Sequence, residues 1–337
     1  MSRPARRPWV RMVRLLRWVA ALGVVAGAGL WIAGRVAQSA LRKDNPPPGL
    51  LVDVGGYRLH LNCVGTGAPT VILDAGLMDF STMWARVQPP VSHFTRACAY
   101  DRAGLGWSDP SPKPRTSEIM LGELRALLLA AGIEPPYVLV GHSFGGMNMR
   151  LFARRHPRDV VGLVMVDAAH EDQLLRIPEL AVAGKALSNQ FRSLGAVRSL
   201  GLLALAPGAI PDRGLPPVAA RQYRTILAAT PYFHSASVEL DAMEDNFDQA
   251  HAARERELGE TPMVVITRGR PNPLPSMPPA GVERMESEWR EMQLRLAALS
   301  AQSTHLFAAD SGHDIHLQQA DLVVEAIRTV VNRARIP

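Results

Sequence analysis

Pro136-Tyr137-Val138-Leu139-Val140-Gly141-His142-Ser143-Phe144-Gly145-Gly146 is an apolar run that ends in Gly-x-Ser-x-Gly. Val138, Leu139 and Val140 read as a strand buried on both faces, and 147–155 reads as a helix closed by His156-Pro157. A serine between two such elements sits on a tight strand-to-helix turn with strained backbone, so small residues are needed two places before and two after it. Its hydroxyl is then exposed, and the start of the helix offers a free N–H and a positive dipole end. Gly-x-Ser-x-Gly alone is a weak signal. Between a strand and a helix it is a strong one.

Working outward, short β-branched runs alternate with helical stretches. Segments 50–54 and 57–64, separated by Gly55-Gly56, read as an antiparallel hairpin. The runs 70–74, 97–101, 137–140, 162–167, 263–267 and 305–309 read as buried strands of a mostly parallel sheet. Helices are expected over 117–131, with leucines 121, 124, 127 and 128 on one face, and over 321–333, with Leu322, Val323, Ile327 and Val330 inward. Between Asp167 and Met263 no strand is convincing, and the stretch is too long for an ordinary connection. Residues 171–261 are therefore expected to form a helical cap inserted after the sixth strand, over a core made of 50–170 and 262–337. The fold class is α/β, with eight strands and helices on both faces of the sheet.

The chain has 337 residues, of which 47% are hydrophobic and 20% charged, ordinary values for a globular enzyme. Its net charge of +6 is matched by six arginines (3, 6, 7, 11, 14 and 17) that precede any acidic residue, so the body is neutral. Nucleic acid is excluded as a partner on that ground. There are two cysteines, Cys63 and Cys98, so neither a disulfide-stapled miniprotein nor a Cys/His zinc cluster is expected. No Gly-rich phosphate loop is present either, and no metal or cofactor is implied. The sequence carries no reading of oligomeric state.

After the basic arm of 1–17, the stretch WVAALGVVAGAGLWIAG over 18–34 has no charge, and Arg17 and Arg35 flank it. It lies at the short end of what spans a bilayer, and Trp18 and Trp31 sit near its two ends, where indoles favour the headgroup zone. We expect a membrane anchor over 18–35. The arginines before it outnumber Arg35, Arg42 and Lys43 after it, which predicts the N-terminus inside and the body outside. The alternative is a cleaved signal peptide, with Ala37-Gln38-Ser39 as its best small-x-small site. Residues 36–49, ending in Asn45-Pro46-Pro47-Pro48-Gly49, are expected to be a stiff linker between anchor and domain.

From about Leu50 onward the chain resembles the α/β-hydrolase superfamily. The segments that carry the resemblance are Val71-Ile72-Leu73-Asp74-Ala75-Gly76-Leu77, Ala99-Tyr100-Asp101-Arg102-Ala103-Gly104-Leu105-Gly106-Trp107-Ser108, the serine turn, and Ser311-Gly312-His313-Asp314-Ile315-His316. The family's usual His-Gly after the third strand is Ala75-Gly76 here. The resemblance implies Ser143 as nucleophile and His313 as its base, because His313 follows the last strand. It also nominates the backbone N–H groups of Phe144 and Leu77 for an oxyanion hole. His316 is expected to pack against the closing helix, His305 to begin the last strand, and His142 not to face the serine.

The acid is open at this level. The turn after the seventh strand, where the family usually keeps it, reads Gly269-Arg270-Pro271-Asn272-Pro273-Leu274-Pro275 and has no carboxylate. Asp167, ending the sixth strand, is the candidate, with Glu283 and Glu286 as alternatives. Asp101 and Arg102 are expected to hold the loop after the fourth strand. Two functions compete: an exported, anchored serine esterase acting on a small molecule, with aminopeptidase-like and haloperoxidase-like relatives open, and a catalytically silent, membrane-tethered binding module. The family's strand order makes the second and fourth strands neighbours, so a Cys63–Cys98 disulfide is expected if register and face agree.

Overall fold

In a computed structural model, residues 8–254 and 258–335 are described; Arg3, Arg6 and Arg7 of the basic arm lie outside them. Eight strands form one sheet: β1 (Leu50–Asp53), β2 (Arg58–Val64), β3 (Thr70–Asp74), β4 (Ala97–Tyr100), β5 (Tyr137–His142), β6 (Val160–Val166), β7 (Met263–Arg268) and β8 (Ser303–Ala308). The spatial order is β1-β2-β4-β3-β5-β6-β7-β8. β2 is antiparallel to β1 and β4, and the remaining neighbours are parallel.

Period-two alternation divides the strand residues between two layers of core. Ile72, Leu139, Leu163, Met165 and Val265 point to one face, where α3 (Ser117–Ala130) and α4 (Phe144–Arg155) cover them. Val71, Leu73, Val138, Val140, Val164 and Ile266 point to the other, beneath α2 (Gln88–Val91) and α13 (Ala320–Ala334). The stripe of α13 runs through Val323, Val324, Ile327, Val330 and Val331, with Leu322 at its margin. Every strand buried on both faces lies in the parallel part of the sheet, which explains their unbroken apolar sequences.

Between β6 and β7 the described residues form helices and no strand: α5 (Gln173–Arg176), α6 (Glu179–Ser199), α7 (Leu202–Leu205), α8 (Pro217–Ala229), α9 (Tyr232–Asp241) and α10 (Met243–Ala252). Phe80, Tyr223, Tyr232 and Phe233 knit this layer to the loop after β3. Two further helices complete the chain, α11 (Pro279–Ala297) and α12 (Ile315–Gln318).

The expected linker is corrected. α1 spans Pro8–Asp44 as one helix, so 36–44 is helical and the Pro-rich spacer is reduced to the few residues after Asp44. The cause is packing: Gly34, Ala37, Gln38 and Leu41, spaced along one helix face, lie against α7 and α8. Smaller corrections concern element ends. α4 starts at Phe144 rather than 147, β6 starts at Val160, and β8 starts at Ser303, which puts His305 in mid-strand with Nε2 2.7 Å from the Thr267 hydroxyl.

Cys63 and Cys98 are directly opposite in the antiparallel β2–β4 pair, so both side chains leave the same face, and their sulfurs are 2.07 Å apart. Protein purified without reductant is expected to show no reactive thiol after denaturation. With the cysteines 35 positions apart, the Cys63→Ala/Cys98→Ala protein is expected to lose about 4 kcal/mol in urea unfolding on the chain-entropy relation. Two titratable thiols in the parent protein would overturn the bridge.

Candidate active site

The turn between β5 and α4 leaves Ser143 at φ 51°, ψ −121°, outside the ordinary regions for an L residue. Backbone packs where side chains would otherwise stand. A Cβ on Gly141 would come within 2.4 Å of Gly145 O, and one on Gly145 within 2.4 Å of Asp74 O. The turn is stitched to its neighbours by Ser143 N–H donating to Val166 O and Ala169 N–H donating to Ser143 O. Because α4 begins at Phe144, that residue's N–H belongs to the unsatisfied first turn. Neither it nor the Leu77 N–H donates to any acceptor among the described residues. The next amide, Met78 N–H, is taken by Glu239 Oε2 at 2.6 Å.

His313 follows β8 and presents Nδ1 to Asp167 Oδ2 at 2.6 Å. Asp167 lies just beyond β6 at φ 42° and is fully buried. Its oxygens are saturated: Oδ1 accepts from Arg268 N–H (3.1 Å) and Trp289 Nε1–H (2.8 Å), while Oδ2 accepts from Arg268 Nη1 (2.8 Å) besides His313. Burial alone would raise this carboxyl. The Arg268 charge and the His313 bond outweigh it and hold Asp167 well below the usual carboxylate range, so it is ionised whenever the protein is folded near neutrality.

Glu286 is one guanidinium further out. Its carboxylate accepts from Arg268 Nη2 (2.9 Å) and Nε (3.2 Å) and from Asn272 N–H (2.9 Å), and it makes no bond to His313. Glu283 is exposed on α11, one turn earlier. Neither alternative acid meets the imidazole. Arg268 and Trp289, which do hold Asp167, were missed by the sequence reading. The only hint of Arg268 was a charge closing an otherwise apolar strand, and Trp289 was one member of the α11 stripe Met285, Trp289, Met292, Leu296.

Ser143 and His313 open into one cavity of about 330 Å³ lined by Leu77, Leu187, Leu240, Met243 and Trp289 among others. The two side chains do not hydrogen-bond with each other here. Behind His313 the rings of His142 and His316 meet at a tilt of 47°, with centroids 4.3 Å apart. His142 turns away from Ser143 and donates Nε2–H to the His313 carbonyl at 3.0 Å, so its Nδ1 is unprotonated. His316 packs on Trp84, with ring centroids 5.1 Å apart. Asp314 shares Arg213 with Asp79, and the ligand atoms of His142, Asp314 and His316 lie within 4.8 Å of one another. Arg102, expected to hold its own loop, instead reaches Asp74 (2.7 Å), the carbonyls of Ala75 and Gly76, and cap residue Glu239 (2.6 Å).

Residues 65–326 match the Alpha/beta hydrolase family. The chain belongs to that family. The curated "Probable transporter efuK" of Hormonema carpetanum is 38% identical over 136 residues, 38% of this chain, which spans only 20% of that relative's length. Among solved structures, a thermophilic esterase from Thermogutta terrifontis is 23% identical with TM-score 0.56, covering 84% of this chain and 97% of its own. The epoxide hydrolase CorEH is 16% identical with TM-score 0.57, covering 85% and 98%. At these identities the likeness concerns the fold alone.

The buried histidines make acid sensitivity predictable. Burial pushes His316 down to about 3, and burial with the neighbouring His316 and His313 charges pushes His142 well below the ordinary imidazole value. Both rings stay neutral in the folded protein where an unfolded histidine is already protonated, so unfolding takes up protons. Through His316, stability is expected to fall as pH drops from about 6.5 towards about 3, by up to about 1.4 kcal/mol per pH unit, and His142 acts in the same direction. His316→Phe should flatten that slope in urea unfolding at several pH values. Parallel curves for the two proteins would sink the assignment.

Proposed function

We propose that this protein is a membrane-anchored, exported serine hydrolase that cleaves carboxylic esters through a Ser143 acyl-enzyme. The observation that carries this reading is the 2.6 Å Asp167–His313 pair in the cavity that also holds Ser143. Asp167 fixes the tautomer of His313 with hydrogen on Nδ1, which leaves Nε2 bare to take the Ser143 proton as Oγ attacks the ester carbonyl. The developing oxyanion is met by the N–H groups of Phe144 and Leu77. Imidazolium then protonates the departing alcohol, and the same imidazole activates a water that cleaves the acyl-enzyme. A serine nucleophile suits acyl transfer.

The anchor rests on α1. Its 11–44 portion is the described helix that is long and apolar enough to cross a membrane, and none of its most apolar window is buried. The arginine excess before it favours the N-terminus inside and the catalytic body outside.

Ser143→Ala and His313→Ala are each expected to lower kcat for a p-nitrophenyl ester by roughly 10,000-fold or more, with unchanged circular dichroism. Asp167→Asn should cost a similar roughly 10,000-fold, since the imidazole loses its tautomer and its counter-charge. Glu283→Gln should leave kcat unchanged. Retention of parent activity by Ser143→Ala, or absence of labelling by a fluorophosphonate probe, would remove the enzyme reading in favour of a silent binding module.

A second measurement addresses the anchor. The full chain is expected in the membrane fraction after carbonate washing, with a reporter fused after Pro48 on the far side of the membrane. A trimmed soluble form starting near Ala40 would establish a signal peptide instead.

A further inference from the structure

The apolar part of α1 does not end in a flexible tether. It ends on the cap. Gly34, the last residue of the uncharged run, meets Gly201 so closely that a Cβ on Gly34 would lie 2.7 Å from Gly201 Cα. One turn on, Gln38 is fully buried and donates to the carbonyls of Arg198 (2.8 Å) and Ala228 (3.2 Å), and Arg42 donates to Ala229 O (2.8 Å). From Gly34 to Arg42 the helix is thus part of the folded body, whereas the large apolar side chains from Leu15 to Ile32 are exposed.

The lengths leave no room for a gap. The uncharged 18–34 run is about 25 Å long at 1.5 Å per residue, against about 30 Å of bilayer hydrocarbon. A run shorter than the hydrocarbon is accommodated by thinning of the bilayer and by flanking side chains that reach the interface, which places what is fixed to its end close to the headgroups. What is fixed there is the rim where α6 meets α7, and that rim exposes Val197 (37%), Leu200 (51%) and Leu205 (43%). Beside them stand Arg35, Arg42 and Arg198, none of which pairs with a carboxylate among the described residues. Burial, with the Arg35 and Arg42 charges close by, lowers the Arg198 guanidinium from its ordinary value, a sign of crowded and uncompensated positive charge. From the rim α6 runs back, about 20 Å over thirteen residues, to the turns that give Leu180, Ala183, Gly184 and Leu187 to the cavity wall.

We propose that the cap is itself a membrane-docking surface. Val197, Leu200 and Leu205 sit at the headgroup–acyl boundary, Arg35, Arg42 and Arg198 hold anionic phospholipid headgroups, and the enzyme acts on acyl esters dissolved in that leaflet. The inference rests on the anchored serine hydrolase reading and names its substrate class.

The test uses the full chain in vesicles of phosphatidylcholine with phosphatidylglycerol. Single labels are placed through Leu200→Cys, Leu205→Cys, Leu22→Cys and Glu325→Cys, and quenching by bromolipids is read. Leu22 in α1 reports the anchor, and Glu325 on α13 reports a helix packed against the sheet. The expected result is strong quenching at Leu22, clear quenching at Leu200 and Leu205, and none at Glu325. Quenching at Leu22 with Leu200 and Leu205 as dark to the quencher as Glu325 would overturn the docking surface and leave the anchor standing. Absence of quenching at Leu22 would overturn both. Replacing Arg35, Arg42 and Arg198 by Gln should lower hydrolysis of a long-chain ester in anionic vesicles by about fivefold per arginine at low salt. It should leave hydrolysis of a soluble short-chain ester unchanged, which also shows that the variant is folded. An equal fall on both substrates, or no fall on vesicles, would refute the headgroup contact.

Discussion

The turn at Ser143 is the constraint from which the rest of the site follows. A non-glycine residue at φ 51° costs energy and persists only where its surroundings over-determine it. Here they do: β5 enters the turn, α4 leaves it, and Gly141 and Gly145 let backbone touch backbone at distances no side chain would permit. The Ser143 carbonyl accepts from Ala169 N–H just past β6, which ties the turn to the segment that carries Asp167. The strained serine and the strained aspartate, at φ 42°, are therefore two ends of one hydrogen-bonded unit.

Buried charge does the remaining positioning. A lone carboxylate at Asp167 would lose far more in desolvation than a histidine bond returns, so its burial requires Arg268. Arg268 in turn is shielded by the Trp289 ring at 4.3 Å and neutralised by Glu286. The chain Glu286–Arg268–Asp167 thus alternates in charge from α11 to the His313 imidazole. A second chain does the same on the other side. Arg102, from the loop after β4, joins Asp74 and the carbonyls beneath Leu77 to Glu239 of the cap. The same residue set that fixes the amide at Met78 fixes the cap, so cap position and the loop carrying Leu77 are mechanically linked.

The N-terminal helix α1 extends that linkage. Gly34, Ala37, Gln38 and Leu41, along one face of α1, pack on α7 and α8 and make the cap continuous with the N-terminal helix. Gly34 and Gly201 are required for their close approach: each would drive a Cβ into the other's backbone.

Local pattern sufficed for the existence, type and order of the elements, for the serine turn and for the histidine after the last strand. These features are written in contiguous residues: alternation of two for strands, the stripe 120, 121, 124, 127, 128 on α3, and small residues around Ser143. What the sequence left open is of another kind. Asp167 and His313 are 146 residues apart, Asp167 and Trp289 122, and Gln38 and Ala228 190. Whether such residues meet depends on sheet order, strand register and the direction of each side chain, none of which has a local periodic signature. The same holds for Cys63 and Cys98, whose shared face follows from register, and for 36–44, where an apparent linker is helical because the cap offers it a surface. Sequence determined which chemistry this chain could assemble; only tertiary packing decided which acid reaches the imidazole and where the apolar N-terminal helix becomes part of the body, because both are settled by long-range contact and not by composition.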